Sequence, residues 1–384
     1  MPADKTAHPS PDAEPAAPRR AGILPSQEIA ALFRASGEID AAYPILDDQL
    51  QPASLDLRLG ECAYRVRASF LPGRDATVEQ KLDELAMHRM DIRAGGVLER
   101  GCVYIVPLLE RLALGPHLSA RGNPKSSTGR LDVFTRLIAD QGTEFDRVRA
   151  GYRGGLYAEI SPRTFSVLVR TGTRLAQLRF ARGAPAVSDE EHRRLQREQG
   201  LVGSDLRDEE IRDGVPVMVD VRGDRSDGII GFKARAHAGL IDVDKVRHYD
   251  VADYWEPVRA PRRGGLVLDP DDFYILGSRD AVKVPPTHAA EMIAYDTLVG
   301  EFRVHYAGFF DPGFGHAEAG GEGSRAVLEV RSYEVPFVIE HGQVVGRLVY
   351  EPLTATPERL YGRDVKSNYQ RQGIALSKHF KPWA

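Results

Sequence analysis

The sequence predicts a mainly β protein built from two tandem copies of one domain. Three observations carry this. Short apolar runs are punctuated by Gly and Pro, the pattern of strands joined by turns. Long helical periodicities are few, so the helices are few and short. The second half also repeats the first. Leu98-Glu99-Arg100-Gly101-Cys102-Val103-Tyr104-Ile105 aligns with Leu268-Asp269-Pro270-Asp271-Asp272-Phe273-Tyr274-Ile275. Pro116 aligns with Pro286, Ala120 with Ala290, Gly172 with Gly342 and Phe180 with Tyr350. Tyr157-Ala158-Glu159-Ile160 aligns with Val327-Leu328-Glu329-Val330, and every pair lies 170 positions apart (268 − 98, 329 − 159). A constant register through Gly, Pro and acidic positions marks an internal duplication of a sandwich or barrel-like β domain.

Bulk properties set limits. A chain of 384 residues has room for roughly two to three domains. Apolar residues make up 42% and charged residues 28%, as in soluble globular proteins. A net charge of −4 argues against a general nucleic-acid binder or a membrane-surface protein. No apolar run approaches the roughly 20 residues that span a bilayer. No apolar secretory segment opens the chain. Cys62 and Cys102 do not make a disulfide framework, so a reducing cytoplasm is expected.

In chain order, residues 1–22, rich in Pro, Ala and charge, form a disordered tail. Residues 23–183 form the first domain. Ser26-Gln27-Glu28 opens an amphipathic helix through Ile29, Leu32 and Phe33. Gln51 to Gly60 alternates apolar with polar and predicts a half-buried strand. Val103 to Leu108, Ser166 to Arg170 and Leu175 to Phe180 are further strands, with a turn at Thr171-Gly172-Thr173. Residues 184–213 form a charged linker holding a solvated helix from Glu190 to Gln199. Residues 214–384 form the second domain with a C-terminal tail.

The duplication is most informative where it breaks. Asn123-Pro124-Lys125-Ser126-Ser127-Thr128-Gly129-Arg130 packs two cations and three hydroxyls between apolar flanks. Such a loop is either a solvated turn or an anion cradle. Its counterparts in the second half are Tyr295, Asp296, Thr297 and Gly300, facing Lys125, Ser126, Ser127 and Arg130. A purely structural turn has no reason to diverge so far in charge, which favours the cradle. Glu159 and Glu329 lie in apolar strands. Each carboxylate either points outward or enters a pocket, where burial would raise its pKa toward the range useful for proton transfer. Asp311-Pro312-Gly313-Phe314-Gly315 is a turn in which Asp311 can accept from a sugar hydroxyl and Phe314 can stack on a ring. His316-Ala317-Glu318 matches half of a zinc deaminase motif but lacks the Pro-Cys-x-x-Cys partner, so no protein-bound zinc is expected. Tyr361 to Gly373 is polar, basic and glycine-punctuated, the composition of a segment able to close over a phosphorylated ligand.

Together these stretches resemble the dCTP deaminase family of the dUTPase-like fold. Gln51 to Gly60 resembles its early P-x-S-x-D-x-R-L-G strand, and Lys125 to Arg130 its R-S-S-x-A-R loop. Asp311 to Phe314, leading to Leu328-Glu329, resembles its D-P-G-W … L-E segment. Leu348 to Leu353 followed by Tyr361 to Gly373 resembles its closing tail. The chain departs from the pattern at Lys125 (Arg in the family), at Gly129 (Ala), and in a closing motif one residue short. The resemblance implies two dUTPase-like β-barrel or β-clip domains. The activity it implies is zinc-independent deamination of dCTP to dUTP and ammonia, in a homo-oligomer, with Mg²⁺ bound mainly through the substrate. It implies Glu329 as general acid/base, Ser126 as a holder of the attacking water, and Arg130 as the essential loop arginine. Glu159 is the equivalent carboxylate in the first half. Lys125, Ser127, Tyr361, Lys366 and Gln372 would hold phosphates, Asp311 the sugar 3′-hydroxyl, and Ala307 would offer its carbonyl to the water. The alternatives are a dUTPase, a bifunctional deaminase–diphosphatase, and a non-catalytic nucleotide-binding regulator.

Overall fold

The computed structural model describes residues 20–185, 187–203, 205–223, 227–294, 303–305, 308–332, 334–365, 369–370 and 373–383. The architecture is mainly β, with curled sheets and short helices. In the first half a six-stranded sheet is centred on Val103–Ala113 and Arg153–Pro162. A five-stranded sheet is centred on Leu118–Pro124 and Ala176–Arg182. The second half curls into a nine-stranded sheet. The strands follow the pleat: in Leu118–Pro124, Leu118 and Ala120 face the core while Ser119 and Arg121 are half-buried.

The duplication survives at the level of single ladder rungs. Leu98 faces Val167 and Leu268 faces Phe337. Ala120 faces Phe180 and Ala290 faces Tyr350. Tyr104 faces Ile160 and Tyr274 faces Val330. Even one side-chain bond repeats. Tyr104 Oη accepts from the Glu99 amide at 3.1 Å, and Tyr274 Oη from the Asp269 amide at 3.2 Å.

The halves are not separate bodies. Ile241–Asp242 pairs in parallel with Val167–Val169 of the first half. Trp255 is fully buried against Phe165, Phe273 and Phe380, drawn from both halves and the tail. Arg331 bonds Asp132 and Thr164 across the junction. The Ala290 and Phe310 carbonyls both accept from Arg179.

Two expectations are corrected in detail. The helix at Ser26–Arg34 forms as expected, but Gln51 to Gly60 is not a half-buried strand. Only Leu55–Leu57 has strand geometry, and Pro52 to Gly60 is buried throughout. Its polar residues are inside because they have partners. Arg58 Nε donates to Glu110 at 2.7 Å, and Asp56 is paired with Lys125. The helix at Asp189–Gln199 is also not wholly solvated. His192 and Leu195 are buried, and His192 Nε2 accepts from the Tyr350 amide at 3.0 Å. Leu195, Leu201 and Val202 join the second core, so the charged segment is docked on that half.

Candidate active site

Where the halves meet, a cavity of about 300 Å³ is lined from both. The first half supplies Asp56, Lys125, Ser126, Ser127, Arg130 and Gln177. The second supplies Phe309 to Asp311, Phe314 and Glu329, and the tail Tyr361, Tyr369 and Lys378.

The basic loop is held as a single helical turn. The Lys125 amide donates to the Leu175 carbonyl at 2.9 Å, anchoring the loop to the neighbouring strand segment. Ser126–Gly129 makes the turn, and Asp132 ends it in the left-handed region at φ 54, a conformation Asp tolerates. Arg130 is held by contacts to the tail and to the second half. Its Nη1 donates to the Ala375 carbonyl at 3.0 Å, its guanidinium lies 3.8 Å from the Tyr369 ring centroid, and its Nε lies 3.8 Å from Glu329 Oε1.

Glu329 sits on the Ser324–Arg331 strand between Ile275 and His305. Burial pushes its carboxyl up to about 8, against the opposing pull of Arg130. The group is therefore largely protonated at neutral pH and can give up a proton at little cost.

Asp311 lies beside Arg179, 3.5 Å between Oδ1 and Nη2, and burial raises its pKa as well. Oδ1 has no hydrogen-bond partner among the described residues, which leaves an acceptor on a residue lining the cavity. The turn that carries it requires glycine. Gly313 has φ 94, and a Cβ there would meet Ala319 Cβ at 2.9 Å and Leu360 Cβ at 3.2 Å. Phe314 packs edge-on against Phe310 and tilted against Tyr361. The tail then locks the turn: Gln370 Oε1 accepts from the Gly315 amide at 3.1 Å, and the Tyr361 amide donates to Pro312 O at 2.9 Å.

The cavity thus gathers Lys125, Ser126, Ser127, Arg130, Asp311, Phe314, Glu329 and Tyr361. Ala307, Lys366 and Gln372 lie outside the described residues. Glu159 is not among the lining residues. Its Oε1 accepts from Arg136 Nη2 at 2.6 Å, and that guanidinium lies 3.5 Å from the Phe145 ring centroid. Arg136 supplies within one domain the cation that Arg130 supplies to Glu329 from across the junction. His316 caps a short turn, its Nδ1 accepting from the Glu318 amide. Asp56, Gln177, Tyr369 and Lys378 were not singled out from sequence. Asp56 could have been found as the buried acid of the Gln51 to Gly60 motif, whereas Lys378 carries no local signal.

The two carboxylates predict different phenotypes. Glu159→Gln removes the charge from a buried ion pair, a change that costs about 3–5 kcal/mol when one partner of such a pair is lost outright. The neutral amide retains some bonding, so a clear drop in melting temperature with turnover preserved is expected. Thermal melts beside initial rates check this. A variant of unchanged stability but lost turnover would reassign Glu159 to the chemistry.

Comparison with known proteins agrees across the chain. A family model described as the 2′-deoxycytidine 5′-triphosphate deaminase N-terminal domain matches residues 20–184, and the corresponding C-terminal domain model matches residues 188–380. A "dCTP deaminase, dUMP-forming" of Methanobrevibacter smithii is 29% identical over 134 residues, covering 34% of this chain and 65% of that protein. A dCTP deaminase of Halorubrum lacusprofundi is 31% identical over 137 residues, 35% of this chain and 64% of that protein. The chain thus spans just under two thirds of the length of these two relatives. A dCTP deaminase of Natronomonas pharaonis is 32% identical over 149 residues, 37% of this chain and 73% of that protein. The crystal structure of 2′-deoxycytidine 5′-triphosphate deaminase from Agrobacterium tumefaciens superposes with a TM-score of 0.82 at 55% identity, covering 87% of this chain and 99% of that one.

Proposed function

Because this chain belongs to the 2′-deoxycytidine 5′-triphosphate deaminase family, we propose that it converts dCTP and water to dUTP and ammonia. The observation that carries this reading is the pairing of Glu329, a buried carboxyl with a pKa near 8, with Arg130 from the other half of the chain at 3.8 Å.

The proton sequence follows from that pairing. Protonated Glu329 gives its proton to cytosine N3, which makes C4 electrophilic. The resulting carboxylate, stabilised by Arg130, takes a proton from water as the oxygen attacks C4. Glu329 then passes this proton to the amino group, the C4–N bond breaks, and ammonia leaves. The C4 hydroxyl returns its proton to Glu329 as the carbonyl forms. One side chain serves as acid and base in turn. Ser126 holds the water, Asp311 accepts from the 3′-hydroxyl, and Lys125 and Ser127 bind phosphate oxygens.

The donor set does not suit a metal held by the protein. Asp48, Asp56 and Asp311 line the cavity, but each is engaged by a cation: Arg174, Lys125 and Arg179 respectively. In this reading Mg²⁺ is carried by the triphosphate oxygens. No group of three or more His, Cys, Asp or Glu with metal-binding geometry occurs among the described residues. Exhaustive removal of transition metals is therefore expected to leave deamination intact when Mg²⁺ and dCTP are supplied. Stoichiometric zinc whose removal abolishes activity would overturn that expectation.

A second reading takes dUTP on to dUMP and pyrophosphate, and the dUMP-forming name of the Methanobrevibacter smithii relative favours testing it. One assay with dCTP and Mg²⁺, reading ammonia and pyrophosphate together, separates the possibilities. Ammonia alone is expected for the deaminase, and both products for the bifunctional enzyme. Nucleotide binding without either product would indicate a regulator and overturn the proposal.

A further inference from the structure

Among the described residues, the charges lining the cavity leave one cation over. Asp48 is engaged by Arg174, Asp56 by Lys125, Asp311 by Arg179 and Glu329 by Arg130. The Lys378 ammonium has no ion pair and no hydrogen-bond acceptor among the described residues, yet the residue lines the cavity. Burial, Lys125 and Arg174 disfavour its charged form against the opposing pull of the Asp56 and Asp244 carboxylates, which are themselves paired with Lys125 and Arg170. A half-buried ammonium held beside a second cation is costly unless an anion joins them.

The position of Lys378 is fixed by its backbone, not by its side chain. Its amide donates to Tyr369 Oη at 3.2 Å, and its carbonyl accepts from the Arg247 amide at 2.9 Å. The preceding residue, Ser377, is buried and donates from Oγ to the Ser127 carbonyl at 2.7 Å. The lysine is thereby fastened to the basic loop itself, while its side chain makes no ion pair or hydrogen bond among the described residues. A second cavity of about 240 Å³ shares Ser127 and Lys378 as lining and continues past Thr128 and Arg174. A phosphate chain lying on the loop would meet Lys378 at the edge that the two cavities share.

We propose that Lys378 binds the terminal phosphate of the substrate and sets the preference for nucleoside triphosphates over mono- and diphosphates. The inference rests on the deaminase reading above. It adds a phosphate-binding lysine, from beyond the closing motif, to the basic loop.

The test uses full-length protein bearing Lys378→Met, Lys378→Gln or Lys378→Arg, assayed with dCTP, dCDP and dCMP. In the Met and Gln variants KM for dCTP is expected to rise about tenfold or more, the scale of one charge-assisted contact, with kcat little changed. The dCTP-to-dCMP ratio of kcat/KM falls by a similar factor, and Arg restores most of the loss. Inorganic tripolyphosphate, used as a competitive inhibitor, weakens in parallel. Melting curves show whether each variant is folded, and either neutral variant suffices. Unchanged KM and unchanged phosphate preference in a folded neutral variant would overturn the assignment. A wild-type protein that releases no ammonia from dCTP would instead sink the deaminase reading, so the two failures are distinguishable.

Discussion

Glu329→Gln is expected to keep dCTP binding while losing ~10²–10⁴-fold in single-turnover deamination, the usual worth of a positioned acid/base. The amide matches the carboxyl in size but can neither give a proton to N3 nor carry one from water to the leaving amine. The pH dependence carries a second signature. Glu329 is raised from an ordinary 4.5 to about 8 in the folded protein. Between those values the unfolded chain has released the proton and the folded chain retains it. Stability attributable to this group therefore falls as pH rises from about 4.5 to about 8, and is flat beyond. Gln does not titrate, so the variant gains stability relative to wild type across that window. Its melting temperature, compared with wild type, should be more favourable at pH 8.5 than at pH 5. In wild type, kcat/KM should decline above about pH 8 as the acid form is lost. Full activity of the variant, or a stability difference that moves the opposite way with pH, would remove Glu329 from this role.

Much of this site was legible in the sequence, for identifiable reasons. The loop from Lys125 to Arg130 stood out because its polarity interrupts apolar flanks and because its duplicate has lost that polarity. Glu329 was marked by register with Glu159, and the ladders preserve that register rung for rung. The surroundings that distinguish the two glutamates appear only in three dimensions. Arg136 reaches Glu159 from an adjacent strand, a pairing that no local spacing announces. The same limit explains Gln51 to Gly60. Its alternation reads as half-buried until Glu110, 52 positions beyond Arg58, is seen to satisfy the arginine inside. Lys378 shows the limit most clearly. A lysine near a C-terminus reads as solvated, and only the bond from Ser377 to Ser127, 250 positions apart, places it over the loop.

Arg130→Ala is expected to lower dCTP turnover at least tenfold with the fold preserved. Removing a charge-assisted contact costs about 1.5–3 kcal/mol, and each 1.36 kcal/mol is tenfold in rate, which gives roughly 10- to 160-fold. Two further effects follow from what the guanidinium touches. Arg130 is the cation that holds the Glu329 pKa down against burial. Without it the carboxyl binds its proton more tightly, the carboxylate is harder to form, and the alkaline limb of the rate profile moves to higher pH. Arg130 also bonds the Ala375 carbonyl and stacks on Tyr369, so its loss removes two of the contacts that hold the tail and, among the described residues, leaves the Ser377–Ser127 bond to hold it alone against the basic loop. Faster proteolysis of the tail in the absence of nucleotide is the expected readout. Arg130→Lys keeps the charge but not the planar fork or the stacking geometry. It should return the alkaline limb toward its wild-type position while leaving the tail protease-sensitive. Wild-type kinetics in the alanine variant would separate the loop from the chemistry. A slowed enzyme with an unmoved alkaline limb would mean that Arg130 serves the phosphates and not the proton on Glu329.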